Sequence, residues 1–85
     1  MKRVEIYTSP ICGFCVRAKR LLERKGIAYE EVNVLGDAEA KAEMIRRADG
    51  RRTVPQIFID GKGIGGSDEL AALEREGRLD EMLAA

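Results

Sequence analysis

The 85-residue chain is nearly half apolar and carries 15 basic and 15 acidic side chains, so its formal charge is zero. Enough apolar content for a packed core excludes a disordered segment, and the lack of a basic surplus speaks against a nucleic-acid partner. The length sets one small domain over residues 1–85, and no apolar run is long enough to cross a membrane. The charges are unevenly spread, with seven Lys/Arg against three Asp/Glu in residues 1–30 and three against seven in residues 53–85. The plain reading is solvated helix faces; the sharper one is attraction of an anionic thiol substrate to the basic third. Met1-Lys2-Arg3 leads straight into a strand, without the pattern of an export signal. Two cysteines are too few for the disulfide scaffold of a small secreted protein, so a reducing cytoplasm is the expected location.

Val4 to Thr8 alternates and is rich in β-formers, which predicts a first strand ended by Pro10. Phe14, Ala18, Leu21 and Leu22 recur at helical spacing and predict a helix from Gly13 to Lys25, stopped by Gly26. Ile27 to Val34 reads as a second strand, completing a parallel βαβ unit. Asp37 is a fair N-cap for a second helix with an apolar stripe of Ala40, Met44, Ile45 and Ala48, closed by Gly50. Gln56 to Asp60 is a third strand, and its consecutive Ile57, Phe58 and Ile59 predict cover on both faces. Asp60-Gly61 signals a tight hairpin into a short edge strand, Lys62 to Gly65. Ser67 is the expected N-cap of a third helix, Asp68 to Glu76, and Leu79, Met82 and Leu83 form a final amphipathic turn after Gly77.

Cys12 and Cys15 form a Cys-x-x-Cys at the turn from the first strand into the first helix, the setting of a redox motif. A cysteine at a helix start meets unpaired backbone N–H groups and the positive end of the helix dipole, and both favour the reactive thiolate. Three residues on, Cys15 lies one turn along the same face, more buried and within reach of the first sulfur. The bland readings are two small core residues or half a zinc site; the second is weak without histidine or another cysteine pair. Thr53-Val54-Pro55 reads as a proline opening a strand, or as a cis peptide that leaves a backbone N–H and C=O free for an extended peptide-like ligand. Gly65-Gly66-Ser67-Asp68 reads as a strand end with a capped helix, or as a helix N-terminus receiving a carboxylate while Asp68 pairs with an ammonium. Arg46, Arg47, Arg51 and Arg52 read as a solvated helix end, with Arg51 and Arg52 placed to bind a second carboxylate. A ligand with two carboxylates, an ammonium, a peptide backbone and a thiol would use all three features, and glutathione has that inventory.

Val4-Glu5-Ile6-Tyr7-Thr8, Cys12-Gly13-Phe14-Cys15, Thr53-Val54-Pro55-Gln56-Ile57-Phe58-Ile59 and Ile64-Gly65-Gly66-Ser67-Asp68-Glu69-Leu70, in this order and spacing, resemble the glutaredoxins, the small bacterial dithiol members above all. The resemblance implies a thioredoxin-like α/β fold: a four-stranded mixed sheet in the order 2-1-3-4, with helices on both faces and a cis Val54-Pro55 bond. It implies a glutathione-dependent thiol–disulfide oxidoreductase acting on protein disulfides and glutathione mixed disulfides, with Cys12 as nucleophile and Cys15 as resolving thiol. Glutathione would lie across Phe14, Arg51, Thr53, Val54, Pro55, Gly66, Ser67 and Asp68, its γ-glutamyl end on Ser67 and Asp68. Gly13-Phe14 stands where many dithiol members carry Pro-Tyr, and Ser9-Pro10 where many carry a lysine, so Arg51 carries more of the carboxylate contact. The expected worker is a monomer with no resident metal. The alternative role is a carrier of a [2Fe–2S] cluster in a homodimer, ligated by Cys12 of each chain and two glutathione thiols. A third reading is a redoxin reduced by thioredoxin reductase.

Overall fold

A computed structural model describes residues 1–84. Four strands, β1 (Val4–Thr8), β2 (Glu30–Asn33), β3 (Gln56–Ile59) and β4 (Lys62–Gly65), form one mixed sheet in the order β2-β1-β3-β4. β1 runs parallel to β2 and antiparallel to β3, and β3 antiparallel to β4. The helices are α1 (Gly13–Arg24), α2 (Ala38–Arg47), α3 (Ser67–Arg75) and the short α4 (Leu79–Leu83).

The consecutive apolar run of β3 divides between two faces. Ile57 and Ile59 join Val4, Ile6, Leu22, Leu70 and Leu79 in a core under α1, α3 and α4. Phe58 points the other way and packs with Tyr7, Val34 and Met44 under α2. Asp60 and Gly61 both take positive φ, the backbone of the two-residue turn whose twist matches the strands it joins.

Two expected boundaries and one expected core position change, each for a local reason. Ile27 does not open β2. Gly26 takes a left-handed conformation, its N–H bonds Glu23 O, and the Ile27 N–H bonds Leu22 O. That pair of bonds is a Schellman cap, so Ile27 is held by α1 while its side chain packs into the core beside Leu22. Helix α2 ends at Arg47 rather than near Gly50, because Asp49 occupies the left-handed position and Gly50 N–H returns to Ile45 O. Phe14 does not belong to the apolar stripe of α1. Cys15, Ala18, Leu21 and Leu22 fill it, and Phe14 is 54% exposed with the Arg17 guanidinium 5.4 Å from its ring centre.

The arginine group is also corrected. Arg46 is exposed and pairs with Glu43 on its own helix, but Arg47 turns inward. Its guanidinium meets Glu5 at 2.8 and 3.2 Å and the Tyr7 hydroxyl at 2.9 Å, and lies 4.2 Å from the Phe58 ring centre. This group pins α2 to β1 and β3. A second polar tie stands at the end of β1, where the chain enters the cysteine turn. Thr8 Oγ1 donates to Glu31 Oε2 at 2.6 Å and Lys19 Nζ to the same oxygen at 3.0 Å. The Thr8 hydrogen bond first, and Lys19 after it, hold the Glu31 carboxyl below the usual carboxylate range. No helix among the described residues is long and apolar enough to cross a membrane.

Candidate active site

Cys12 is the N-cap residue of α1. Its backbone is extended, and its sulfur accepts the Cys15 N–H at 3.1 Å, where a capping serine or aspartate would place an oxygen. The first turn of α1 contains no acidic side chain, so nothing competes with the sulfur for the positive end of the helix. Cys12 is half-buried, Cys15 is 1% exposed, and the two sulfurs are paired as a disulfide with 5.2 Å between the Cα atoms. Cys12 is thus the more accessible of the two residues, and Cys15 is enclosed.

Facing the sulfurs is the turn before β3. The Val54–Pro55 peptide bond is cis, and Cys12 Sγ lies 3.7 Å from the Val54 carbonyl oxygen. Gln56, buried at the strand start, holds this turn from beneath: its Nε2 donates to Thr53 O at 3.0 Å and reaches Thr53 Oγ1 at 3.3 Å. From the turn a groove of about 260 Å³ runs to the N-terminus of α3, lined by Phe14, Arg51, Thr53, Val54 and Pro55 on one side. Gly66, Ser67, Asp68 and Glu69 line the other side. All eight residues expected around a ligand therefore meet in one groove, together with one that was not expected, Glu69.

The missed residue changes the local picture. Ser67 is not the N-cap of α3; Gly66 is, and Glu69 reaches back to accept the Gly66 N–H. The signal was present in the chain as Gly66-x-x-Glu69, since a glutamate three residues after the cap is the capping-box spacing. The close approach also explains Gly65. A Cβ there would lie 2.6 Å from Glu69 Oε1, and the residue has φ +106°. The Gly66 N–H first, with Arg51 adding to it, holds the Glu69 carboxyl below its usual range. Both Nη atoms of Arg51 lie 3.4 Å from Glu69 Oε1, so the cation expected to stand ready for a ligand already faces a carboxylate of the chain.

Among the described residues no three Cys, His, Asp or Glu side chains converge on one point. With Cys15 enclosed, one chain presents a single accessible thiolate, whereas a [2Fe–2S] cluster needs four.

The glutaredoxin family profile matches residues 4–64. Glutaredoxin 3 of Escherichia coli strain K12 is 52% identical over 83 residues, covering 98% of this chain and 99% of that protein. The solution structure of glutaredoxin from Brucella melitensis superposes with a TM-score of 0.85 at 51% identity, covering 98% of this chain and 89% of that one. A buckwheat glutaredoxin–glutathione complex superposes with a TM-score of 0.86 at 32% identity, covering 96% and 76%. Identity of about one residue in two, over almost the full length of both chains, leaves common descent as the account of the match, and the chain belongs to the glutaredoxins, the glutathione-dependent thiol–disulfide oxidoreductases.

Proposed function

We propose that glutathione is held in the groove between the Val54–Pro55 turn and α3, and that Cys12 is the attacking thiolate with Cys15 as the resolving thiol. The carrying observation is the placement of a partly buried, helix-capping sulfur 3.7 Å from Val54 O, at the end of a groove with a cation on one wall and a helix N-terminus on the other. Cys12 thiolate forms a bond to the glutathionyl sulfur of a mixed disulfide. The substrate S–S bond breaks, and its electron pair leaves with the substrate cysteine, which takes a proton from water. A second glutathione thiolate then attacks the glutathionyl sulfur on Cys12, releasing glutathione disulfide and restoring the Cys12 thiolate. With a protein disulfide, the Cys12 thiolate bonds to one substrate sulfur, and the other leaves as a thiolate that is protonated. The Cys15 thiol then loses its proton and attacks the Cys12 sulfur. The mixed disulfide breaks with the second substrate cysteine leaving as thiolate, and the Cys12–Cys15 bond closes. That bond is reduced by two glutathiones, which leave as glutathione disulfide. The reducing cytoplasm, with glutathione in supply, is the setting this cycle needs.

In this pose Arg51 meets the glycyl carboxylate, the Val54 main chain pairs with the peptide, and the N–H groups of Ser67 and Asp68 receive the γ-glutamyl carboxylate. The Asp68 side chain, exposed beside them, pairs with the ammonium. An exposed ion pair is worth on the order of 1 kcal/mol. Asp68→Ala is therefore expected to raise KM for glutathione several-fold, with iodoacetamide alkylation of Cys12 unchanged. An unaltered KM would remove the pose.

Glu69 supplies a test of opposite sign. Its carboxylate competes with ligand for Arg51 while capping α3. Glu69→Gln keeps an oxygen for the Gly66 N–H but drops the charge, so KM for glutathione is expected to fall. Glu69→Ala loses the cap as well and should cost about 1 kcal/mol of stability. A KM that rises in the glutamine variant would show that Glu69 helps to hold the ligand rather than opposing it.

A further inference from the structure

Arg51 and Arg52 are neighbours in sequence but line different grooves. Arg51 borders the groove described above, whereas Arg52 borders a second one of about 630 Å³ on the other side of the cysteine turn. Ser9, Val34, Leu35, Lys41 and Val54 share that second groove with Arg52. Val54 lines both, and its carbonyl oxygen is the atom near Cys12 Sγ, so the two grooves meet beside the reactive sulfur.

Their charges differ. The first groove sets Arg51 against Asp68 and Glu69. The second holds Lys41 and Arg52 against Asp37, whose carboxylate is engaged by the Ala40 N–H at the start of α2. Among the described residues neither Lys41 nor Arg52 pairs with a carboxylate. Between these cations Leu35 is 66% exposed, a large apolar side chain. A basic pair around an apolar contact complements an extended peptide with an acidic residue next to an apolar one.

We infer that this second groove receives the polypeptide flanking the reactive cysteine of a protein substrate, and that Arg52 and Lys41 select segments with an acidic residue beside that cysteine. The inference rests on the proposed placement of glutathione. With the glutathionyl moiety in the first groove, the departing cysteine and its chain must lie outside it. The shared wall at Val54 makes the second groove the adjoining surface. The reaction is unchanged: Cys12 bonds to the glutathionyl sulfur and the peptide cysteine leaves as thiolate.

The test uses two glutathionylated peptides of equal length, one with glutamates and one with lysines flanking the cysteine, and the glutathione–cysteine mixed disulfide as a small substrate. The wild type is expected to show a several-fold higher kcat/KM for the acidic peptide, and a smaller preference as salt is raised. Arg52→Glu combined with Lys41→Glu should reverse the preference, and Leu35→Ser should lower kcat/KM for both peptides. All these variants should turn over the small disulfide at the wild-type rate. Equal treatment of the two peptides by the wild type would overturn the inference. So would loss of small-disulfide turnover in the charge-reversed variant, which would assign both cations to glutathione. A wild-type dimer that Leu35→Ser dissolves would also overturn it, giving the face to a second copy of the chain. Failure of the underlying pose is read separately, from an unchanged KM for glutathione in Asp68→Ala.

Discussion

Replacing Cys12 by serine is expected to abolish turnover of every disulfide substrate, a loss of at least about three orders of magnitude as for other nucleophile knock-outs. Replacing Cys15 by serine should spare the glutathione mixed-disulfide reaction and remove only the reduction of protein disulfides that need an intramolecular resolving thiol. The asymmetry follows from the geometry of the turn. Cys12 is the more accessible of the two cysteines, and the group that stabilises its sulfur is the backbone N–H of Cys15, at 3.1 Å. A side-chain substitution at position 15 leaves that donor in place, so the Cys12 thiolate keeps its hydrogen bond and its position at the helix N-terminus. Cys15, enclosed at 1% exposure, reaches the sulfur of Cys12, which it attacks once that sulfur is held in a mixed disulfide. Two measurements check this: coupled turnover of a glutathione mixed disulfide by both variants, and the order of alkylation by iodoacetamide at mildly acidic pH in the reduced wild type. Cys12 should be modified first. Equal rates at the two cysteines, or a Cys15→Ser variant inactive on the mixed disulfide, would refute the assignment of roles.

Features of this molecule that depend on near neighbours were readable from residue order. Asp60-Gly61 specified its turn because both positions need positive φ, and Asp37 specified its cap because Ala40 N–H is three residues away. The alternating inner and outer residues of β3 likewise followed from three apolar residues in a row. What escaped reading depends on a choice between two local solutions or on partners far along the chain. Ile27 satisfied both a strand pattern and a helix cap, and the carbonyl of Leu22 decided between them. Phe14 had helical spacing but lost its core place to Cys15, the next residue on the helix. Arg51 and Arg52 were one basic pair until the turn at Val54 sent them to opposite grooves. The eight residues expected around the ligand were drawn by resemblance from three of the blocks and from Arg51 between them, and their convergence in one groove is a property of the fold that spacing alone does not contain.

Arg47 is the case with the largest consequence for stability. Nothing nearby in sequence distinguishes it from Arg46, yet its partners Glu5 and Tyr7 lie 42 and 40 residues away. Arg47→Leu is expected to destabilise the protein by about 2–3 kcal/mol, because it removes a bidentate charged contact and leaves the mostly buried Glu5 with only the Arg3 guanidinium, 3.8 Å away, as a partner. For a domain of this size that is a fall in Tm of about 10–20 °C. The effect should depend on pH with a definite sign. Arg47's hydrogen bond is the main cause that holds the Glu5 carboxyl below its usual range, against the opposing effect of burial. A carboxyl lowered on folding stabilises the folded state above its ordinary pKa, and that contribution is lost as pH falls through the lowered value. The gap between wild type and Arg47→Leu should therefore be widest near neutral pH and close on acidification below about pH 4.5, the ordinary glutamate value. Glu5→Gln added to Arg47→Leu should recover part of the loss, since it removes a mostly buried charge that has lost its hydrogen-bonded partner. Urea melts of the three proteins across this pH range check all of it. A gap that does not narrow in acid would mean that Arg47 stabilises α2 through its stacking on Phe58 rather than through Glu5.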